Sequence, residues 1–258
     1  MKVVGFDFID FGASEGSSMD FARNRLGGIR GIGLDIDPDK VARMRDSGHP
    51  CLEADITRLD LPQHSVRFVV MSHILEHLPD LATVEKVVAA GLRLVTDFVY
   101  IVGPYFDADD YLESHGLKFY WADWTGHPCH LRITDLQRML RKMGVDDVAT
   151  FQVHDEITDS SHPAVHPLDS PPDQHAYDAS RHPVKPTLAF DRPTYREMVC
   201  VIPVRPLEGM DALLQARPKA TLHAPRERQG AAAMSTRRAP RSHRLPLGPC
   251  PPPRTRVD

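Results

Sequence analysis

The chain has 258 residues, of which 41% are hydrophobic and 26% charged, and its net charge is −4. This composition fits a globular protein with one large domain and excludes disordered, collagen-like and disulfide-rich classes. No stretch approaches the roughly 18 apolar residues of a membrane-spanning helix, so we expect no membrane partner. Acidic residues interrupt the N-terminal apolar run, which therefore does not resemble a signal peptide. Four scattered cysteines then favour a reducing, cytoplasmic location.

The charge is distributed unevenly along the chain. Residues 1–206 contain 21 basic and 31 acidic residues, a net charge of −10. Residues 207–258 contain ten basic and four acidic residues, a net charge of +6, and are rich in Pro, Arg and Ala. We therefore predict one domain over 1–206 and a disordered tail over 207–258. The tail has no aromatic residues to stack on bases, so we do not expect a nucleic-acid partner.

Strands and helices alternate in the first hundred residues. The predicted strands cover residues 6–11, 31–36, 51–56, 66–72 and 96–102. Three helices are predicted between these strands. Ser17 or Ser18 caps the first, Asp37 caps the second, and Pro79 opens the third. Continuous apolar strands that alternate with helices indicate a parallel sheet covered on both faces. The predicted fold class is therefore α/β, with a doubly wound, mostly parallel sheet.

The second half of the domain has weaker periodicity. We predict insertions over 104–133, which is rich in aromatic residues, and over 154–196, which is rich in His, Pro and Asp. Between the two insertions we predict a helix with a capping box at Thr134–Gln137 and a strand over 148–153. A last strand follows over 197–204. Such long loops are usually functional or disordered. This second insertion contains His162, His166, His175 and His182, most of which should be exposed to solvent.

A turn of small residues follows the first predicted strand. Its candidate binding residues are Asp10, Gly12, Ala13, Ser14 and Gly16. Small side chains let backbone N–H groups approach a ligand, and the start of the following helix favours negative charge. A nicotinamide dinucleotide site would have glycines where this chain has Ser14 and Ser17. The turn therefore does not favour that cofactor.

Acidic residues end the next two predicted strands. Asp35 follows the turn at the spacing where a carboxylate can accept both hydroxyl groups of a ribose. Asp55 lies at the end of the third strand. Because parallel strands end at the same edge of a sheet, we expect these carboxylates to line one crevice.

Four motifs together resemble a known family. FIDFGASEG, GIGLDIDPDKV, EADITRLDLP and VVMSHILEHLPD occur in this order. They are similar to successive motifs of class I S-adenosylmethionine-dependent methyltransferases, in particular the branch with a Leu-Glu-His motif after strand four. The likeness covers about residues 6–103 and extends more loosely to 153 and the last strand. It implies a Rossmann-like, seven-stranded sheet whose last strand is antiparallel, and S-adenosylmethionine as the cofactor.

The resemblance also implies roles for single residues. Gly12 and Gly16 would pack against the methionine part of the cofactor, Asp35 would hold the ribose, and Asp55 would contact the adenine amine. The full predicted cofactor-binding set is Asp10, Gly12, Ala13, Ser14, Gly16, Asp35, Ile36, Asp55, Ile56 and Ser72.

The chain departs from the family pattern in three places. Ser14 replaces the middle glycine of the first motif, a small and tolerable change. Arg67 replaces an aspartate at the start of strand four, far from the expected cofactor. The family generally has helical sequence before strand one, and here strand one begins within a few residues of Met1. We expect that an N-terminal part is missing or that the cofactor is covered from elsewhere.

The residues after strand four are candidates for the reaction itself. His73 lies at the edge where a substrate would meet the cofactor, and a neutral imidazole near pH 7 suits a general base. We therefore predict His73 as the catalytic residue and no metal. In an alternative, His73, Glu76 and His77 share a face of a helical turn and converge on a divalent ion.

Two further groups follow the aromatic stretch. His127 and His130 can reach a substrate, whereas a zinc site with Cys129 lacks a second Cys/His pair at the usual spacing. The aromatic residues form either a substrate wall or a small satellite core. These are Tyr105, Tyr111, Tyr120, Trp121 and Trp124.

The favoured function is methyl transfer to an oxygen atom of a small molecule or sugar, because a histidine base suits a hydroxyl group. One alternative is a catalytically silent domain of the same fold that binds a partner or acts as a scaffold. A nicotinamide oxidoreductase is a third interpretation, which the glycine pattern disfavours. The sequence indicates neither the identity of the substrate nor the oligomeric state.

Overall fold

Seven strands form one sheet in the computed structural model, which describes residues 3–217. The sheet order is β3-β2-β1-β4-β5-β9-β7, and β9 runs antiparallel to both of its neighbours. The strands are β1 (Phe8–Phe11), β2 (Gly31–Asp35), β3 (Cys51–Glu53), β4 (Val66–Ser72), β5 (Val95–Pro104), β6 (Leu117–Phe119), β7 (Thr150–Asp159), β8 (Val165–Pro167) and β9 (Ala189–Pro203). The predicted α/β class and the mostly parallel seven-stranded sheet are confirmed.

Helices cover both faces of this sheet. They are α1 (Ser17–Arg25), α2 (Pro38–Asp46), α3 (Leu81–Leu94), α4 (Asp109–Ser114), α5 (Ile133–Lys142) and α6 (Met210–Gln215). Successive side chains of a strand point to opposite faces, and in β1 both faces are buried. Phe8 packs into one core, and Ile9 and Phe11 pack into the other. Within residues 3–217, no helix has the length and apolar character needed to cross a bilayer.

Among α2, α3 and α5, the helix start agrees with the sequence in one case and differs in two. Asp37 caps α2 as predicted, because its carboxylate accepts the N–H groups of Asp39 and Lys40. Asp80, not Pro79, precedes α3, and its carboxylate accepts the Thr83 N–H at 2.7 Å. The capping box predicted at Thr134 is wrong, since α5 already begins at Ile133 and has no side-chain cap.

The two insertions pack on each other. Strands β6 and β8 pair in a separate antiparallel sheet, and a third apolar cluster forms around it. This cluster contains Phe106, Tyr111, Leu112, Leu117, Phe119, Trp121 and Val165. The aromatic stretch is thus largely a satellite core. Of the four histidines expected to be mostly exposed, only His175 is exposed, so this expectation is wrong. His166 and His182 are buried with their rings 4.8 Å apart.

The ordered domain extends beyond the predicted boundary at residue 206. Helix α6 lies in the segment assigned to the tail, and Leu214 and Ala216 are buried against the sheet. The Tyr100 hydroxyl donates a hydrogen bond to the Ala216 carbonyl at 2.5 Å. The apolar pair Leu213-Leu214 supplies the packing face that composition alone did not reveal. The rest of the predicted tail, 218–258, lies outside the described residues.

Two truncations isolate the contribution of α6. Compared with a chain that ends after Arg217, a chain that ends after Pro206 should lose about 3 kcal/mol of unfolding free energy. The loss combines the apolar burial that Leu214 no longer contributes, about 1.5 to 3 kcal/mol, with the unpaired Tyr100 hydroxyl, about 1 to 3 kcal/mol. Urea denaturation of both proteins measures the difference. Equal midpoints would mean that α6 does not stabilise the domain.

Candidate active site

The turn after β1 has a left-handed backbone at three positions. Gly12, Ser14 and Gly16 have φ values of 70°, 48° and 89°. A Cβ atom at Gly12 would lie 2.4 Å from Cδ1 of Ile74, so no side chain fits there. Ser14 adopts a conformation that costs a residue with a side chain about 1 to 2 kcal/mol. The turn therefore needs other contacts to hold it in place.

The Asp35 carboxylate supplies those contacts. It accepts the Ser14 N–H at 2.9 Å on one oxygen and the Asp37 N–H at 3.0 Å on the other. Asp35 is 6% exposed and ends β2, beside the turn that follows β1. The residue predicted to hold a ribose is thus also the residue that fixes the glycine turn, before any ligand binds.

Asp10 is buried beneath the same turn. Its Oδ2 accepts a hydrogen bond from the Ser18 hydroxyl, and its Oδ1 has no partner among the described residues. Burial raises the pKa of Asp10 to about 7, against the opposing effect of the Ser18 bond. Neither Ser17 nor Ser18 caps α1 as predicted: Gly16 occupies the cap position, and the Ser18 hydroxyl is used by Asp10.

Replacement of Asp10 by Asn should change how stability depends on pH. The folded protein keeps the Asp10 proton up to about pH 7, whereas the unfolded chain releases it near the ordinary aspartate pKa of 3.8. The free energy of unfolding should therefore fall as the pH rises between these values. Asp10→Asn should remove that fall, and urea denaturation across this pH range measures it. The exposed Asp20→Asn is the control, and parallel profiles for Asp10→Asn and wild type would contradict the prediction.

The other predicted cofactor residues lie along the same edge of the sheet. Ile36, directly after Asp35, is 67% exposed, an unusual position for a large apolar side chain. Asp55 caps a short 3-10 turn and accepts the Thr57 N–H at 2.9 Å. Ala13 and Ile56 are buried, and Ser72 is half-buried at the end of β4. Since β3, β2, β1 and β4 are neighbours in that order, these residues follow the carboxyl edge of the sheet.

His73 is held between two buried carboxylates. Its Nδ1 lies 3.4 Å from Oε1 of Glu76, and its Nε2 lies 3.6 Å from Oε1 of Glu197. Burial lowers the pKa of His73, but the hydrogen bonds and charges of Glu197 and Glu76 outweigh it and raise the pKa to about 10. Both ring nitrogens face acids and the ring is protonated at neutral pH. This arrangement differs from the neutral base that the sequence predicts.

A different set of side chains comes together beside His73. Donor atoms of Glu76, His77 and His127 lie within 4.8 Å of one another. The alternative metal set from the sequence has His73 in place of His127, and the structure does not include His73 in this group. The His77 ring donates a hydrogen bond to the carbonyl of Gly126, the residue before His127, and this bond holds His127 beside the group. No spacing motif links these two parts of the sequence.

An acid and a histidine of the first insertion form a pair. His130 Nδ1 lies 2.9 Å from Oδ2 of Asp109, and the ring stacks on Phe106 with centroids 4.5 Å apart. Asp109 is buried, which raises its pKa, and its Oδ1 has no described partner. His130 is a sequence candidate, but Asp109 is not, since it lies in the short helix α4 inside a predicted loop.

Comparison with known families identifies the domain. A family model described as a methyltransferase domain matches residues 5–150. The chain belongs to this methyltransferase family. The match spans the glycine turn, Asp35, Asp55, the Leu-Glu-His turn and the histidines up to His130. Glu197 and strand β9 lie outside it.

Solved structures share the fold of this methyltransferase domain. A SAM-dependent methyltransferase from Archaeoglobus fulgidus is 15% identical, with a TM-score of 0.52, over 77% of this chain and 86% of that chain. The YcgJ protein from Bacillus subtilis is 13% identical, with a TM-score of 0.49, over 78% and 92% of the two chains. No curated protein matches the chain significantly. The resemblance to class I methyltransferases is thus confirmed for family and fold.

Proposed function

We propose that this methyltransferase domain binds S-adenosylmethionine and transfers the methyl group to a hydroxyl oxygen of a small molecule or sugar. The observation that carries the proposal is the Asp35 carboxylate, held at 2.9 Å by the Ser14 N–H of the glycine turn. A carboxylate oxygen can accept a further hydrogen bond beside the one it already accepts. Asp35 can therefore bind ribose hydroxyls while it keeps the turn in place.

The neighbouring residues fit the remaining parts of the cofactor. The exposed Ile36 side chain offers an apolar surface for the adenine ring, and Asp55 lies beyond it at the end of β3. A Cβ atom would clash with Ile74 at Gly12 and with His49 at Gly16, so the turn beside the methionine part of the cofactor needs glycine at both positions. The complete proposed set is Asp10, Gly12, Ala13, Ser14, Gly16, Asp35, Ile36, Asp55, Ile56 and Ser72.

S-adenosylmethionine, when bound, supplies a methyl group that is attached to a sulfonium sulfur. As the new carbon–oxygen bond forms, the carbon–sulfur bond breaks and the sulfur keeps its electron pair. The chain must align the substrate hydroxyl group with this methyl group and accept the proton that the hydroxyl group loses. We propose His130 as the acceptor. Asp109 accepts a hydrogen bond from the Nδ1–H group of the ring, which leaves the Nε2 lone pair for the substrate. The ring is 37% exposed and can be reached.

Calorimetric titration with S-adenosylmethionine, S-adenosylhomocysteine and NADH separates the three interpretations. Binding of the first two alone supports the proposal, and binding of NADH would overturn it. If the cofactor binds, radiolabelled methyl transfer to a panel of hydroxyl- and amine-bearing small molecules follows. A domain that binds the cofactor and labels no compound of either class would support the scaffold interpretation.

Asp35→Ala should reduce the affinity for S-adenosylhomocysteine at least tenfold. It removes hydrogen bonds of a charged acceptor to the ribose, each of which contributes about 1.5 to 3 kcal/mol. It should also lower the thermal midpoint of the free protein, since the Ser14 and Asp37 N–H groups lose their acceptor. The exposed Asp39→Ala in α2 is the control. Unchanged affinity in a folded Asp35→Ala protein would show that the ribose lies elsewhere.

His130→Ala should lower the turnover of the identified substrate by roughly 10² to 10⁴ and leave cofactor affinity unchanged. Asp109→Asn should lower turnover less, because it disturbs only the ring orientation and tautomer. The exposed His115→Ala provides the matched control. Full activity in His130→Ala together with inactivity in His73→Gln would return the base role to His73.

A further inference from the structure

Two histidines and one glutamate form a compact group at the carboxyl ends of β4 and β5. The group contains Glu76, His77 and His127, with one donor atom of each within 4.8 Å of the others. We propose that these three residues bind a first-row divalent transition metal ion. The proposal does not depend on cofactor binding and concerns a different set of side chains from those at the glycine turn.

Hydrogen bonds orient both imidazole rings for this role. Nδ1 of His77 lies 2.6 Å from the Gly126 carbonyl oxygen, and Nδ1 of His127 lies 3.0 Å from the Trp121 carbonyl oxygen. A carbonyl oxygen only accepts, so each Nδ1 carries the proton and each Nε2 keeps a lone pair. Metal-binding histidines generally have this arrangement, with the second ring nitrogen donating to a carbonyl or carboxylate.

The backbone holds the two parts of the group together. Glu76 and His77 lie in the 3-10 turn Leu75–His77, and His127 lies in the loop after Trp124. The Cys129 N–H donates to the Glu76 carbonyl at 3.2 Å, which adds a second link beside the one from His77 to Gly126. The loop that carries His127 is thus fixed against the turn that carries the other two residues.

Glu76 supplies the negative charge. Its side chain is 3% exposed, and only Oε1 takes part in the ion pair with His73 at 3.4 Å. A carboxylate has lone pairs on both oxygens, so the pair with His73 leaves Oε2 for a cation. A buried carboxylate beside two ring nitrogens that lack protons gains from a shared positive ion.

The ligand types select the kind of ion. Two imidazoles and one carboxylate suit zinc, iron(II) or cobalt(II), whereas magnesium and calcium prefer oxygen ligands. Ligands at zinc bond lengths lie about 3.4 Å apart, so the group must contract slightly. His77 is exposed and can move. Three protein ligands leave one coordination position of the ion open for a substrate oxygen. The binding of a substrate oxygen there rests on the proposed function.

Cobalt(II) titration of the untagged full-length protein, after chelator treatment, tests the site. We expect one ion per chain, with visible absorption of a cobalt–nitrogen site, and displacement by zinc. His77→Ala and His127→Ala should each weaken binding at least about tenfold. His115→Ala, which removes an exposed imidazole outside the group, should bind as wild type does. Magnesium should not displace cobalt.

Absence of stoichiometric cobalt binding by wild type, or equal binding by His127→Ala, would overturn the proposal. Circular dichroism of the metal-free variants shows whether each is folded, and Glu76→Gln serves as a further variant that preserves side-chain shape. S-adenosylhomocysteine titration of the metal-free protein is carried out in parallel. Intact binding there without any cobalt binding would refute the metal site alone and leave the proposed function standing.

Discussion

The hydrogen bonds that Asp35 accepts from Ser14 and Asp37 connect the two strand ends at which the cofactor crevice begins. These hydrogen bonds offset the free-energy cost of the left-handed conformation of Ser14, which is about 1 to 2 kcal/mol. A hydrogen bond to a charged acceptor contributes about 1.5 to 3 kcal/mol, enough to balance it. Because Asp37 in turn caps α2, a single buried carboxylate sets the turn after β1 and the start of a helix. The shape of the turn therefore depends on the same side chain that we propose as the ribose ligand.

The other half of the site depends on contacts between distant parts of the chain. Glu197 reaches His73 because β9 enters the sheet antiparallel to β5, which pairs Pro104 with Glu197 at the carboxyl end. Two buried glutamates without a cation between them would repel each other and lose solvation, so the imidazolium of His73 stabilises both. The antiparallel strand therefore does more than complete the sheet. It supplies one of the charges that fix the turn after β4.

These two halves differ in how far the sequence predicts them. Strand β4 has the predicted bounds because five of its seven residues are buried and apolar. Gly12 and Asp35 belong to local motifs with a fixed spacing. Helix α4 has six residues and no repeating apolar face, so the sequence does not predict it. For the same reason the sequence does not indicate Asp109 as a site residue. The Asp109–His130 pair joins residues 21 positions apart, and the His77–Gly126 bond joins residues 49 apart. No periodicity records such contacts, which depend on how the insertions pack.

Packing of the insertions also explains why the class of reaction is easier to infer than the substrate. The 104–133 insertion carries Phe106, Asp109 and the histidines near the crevice, yet it is shaped by residues outside it. Strand β6 pairs with β8 of the second insertion, and the Trp121 ring donates to the Tyr105 carbonyl within the shared aromatic core. A change in the second insertion, which contributes no residue to the proposed cofactor set, would therefore reach the proposed base His130 and its partner Asp109 through this core. The Asp35 turn is built from other contacts and would stay the same.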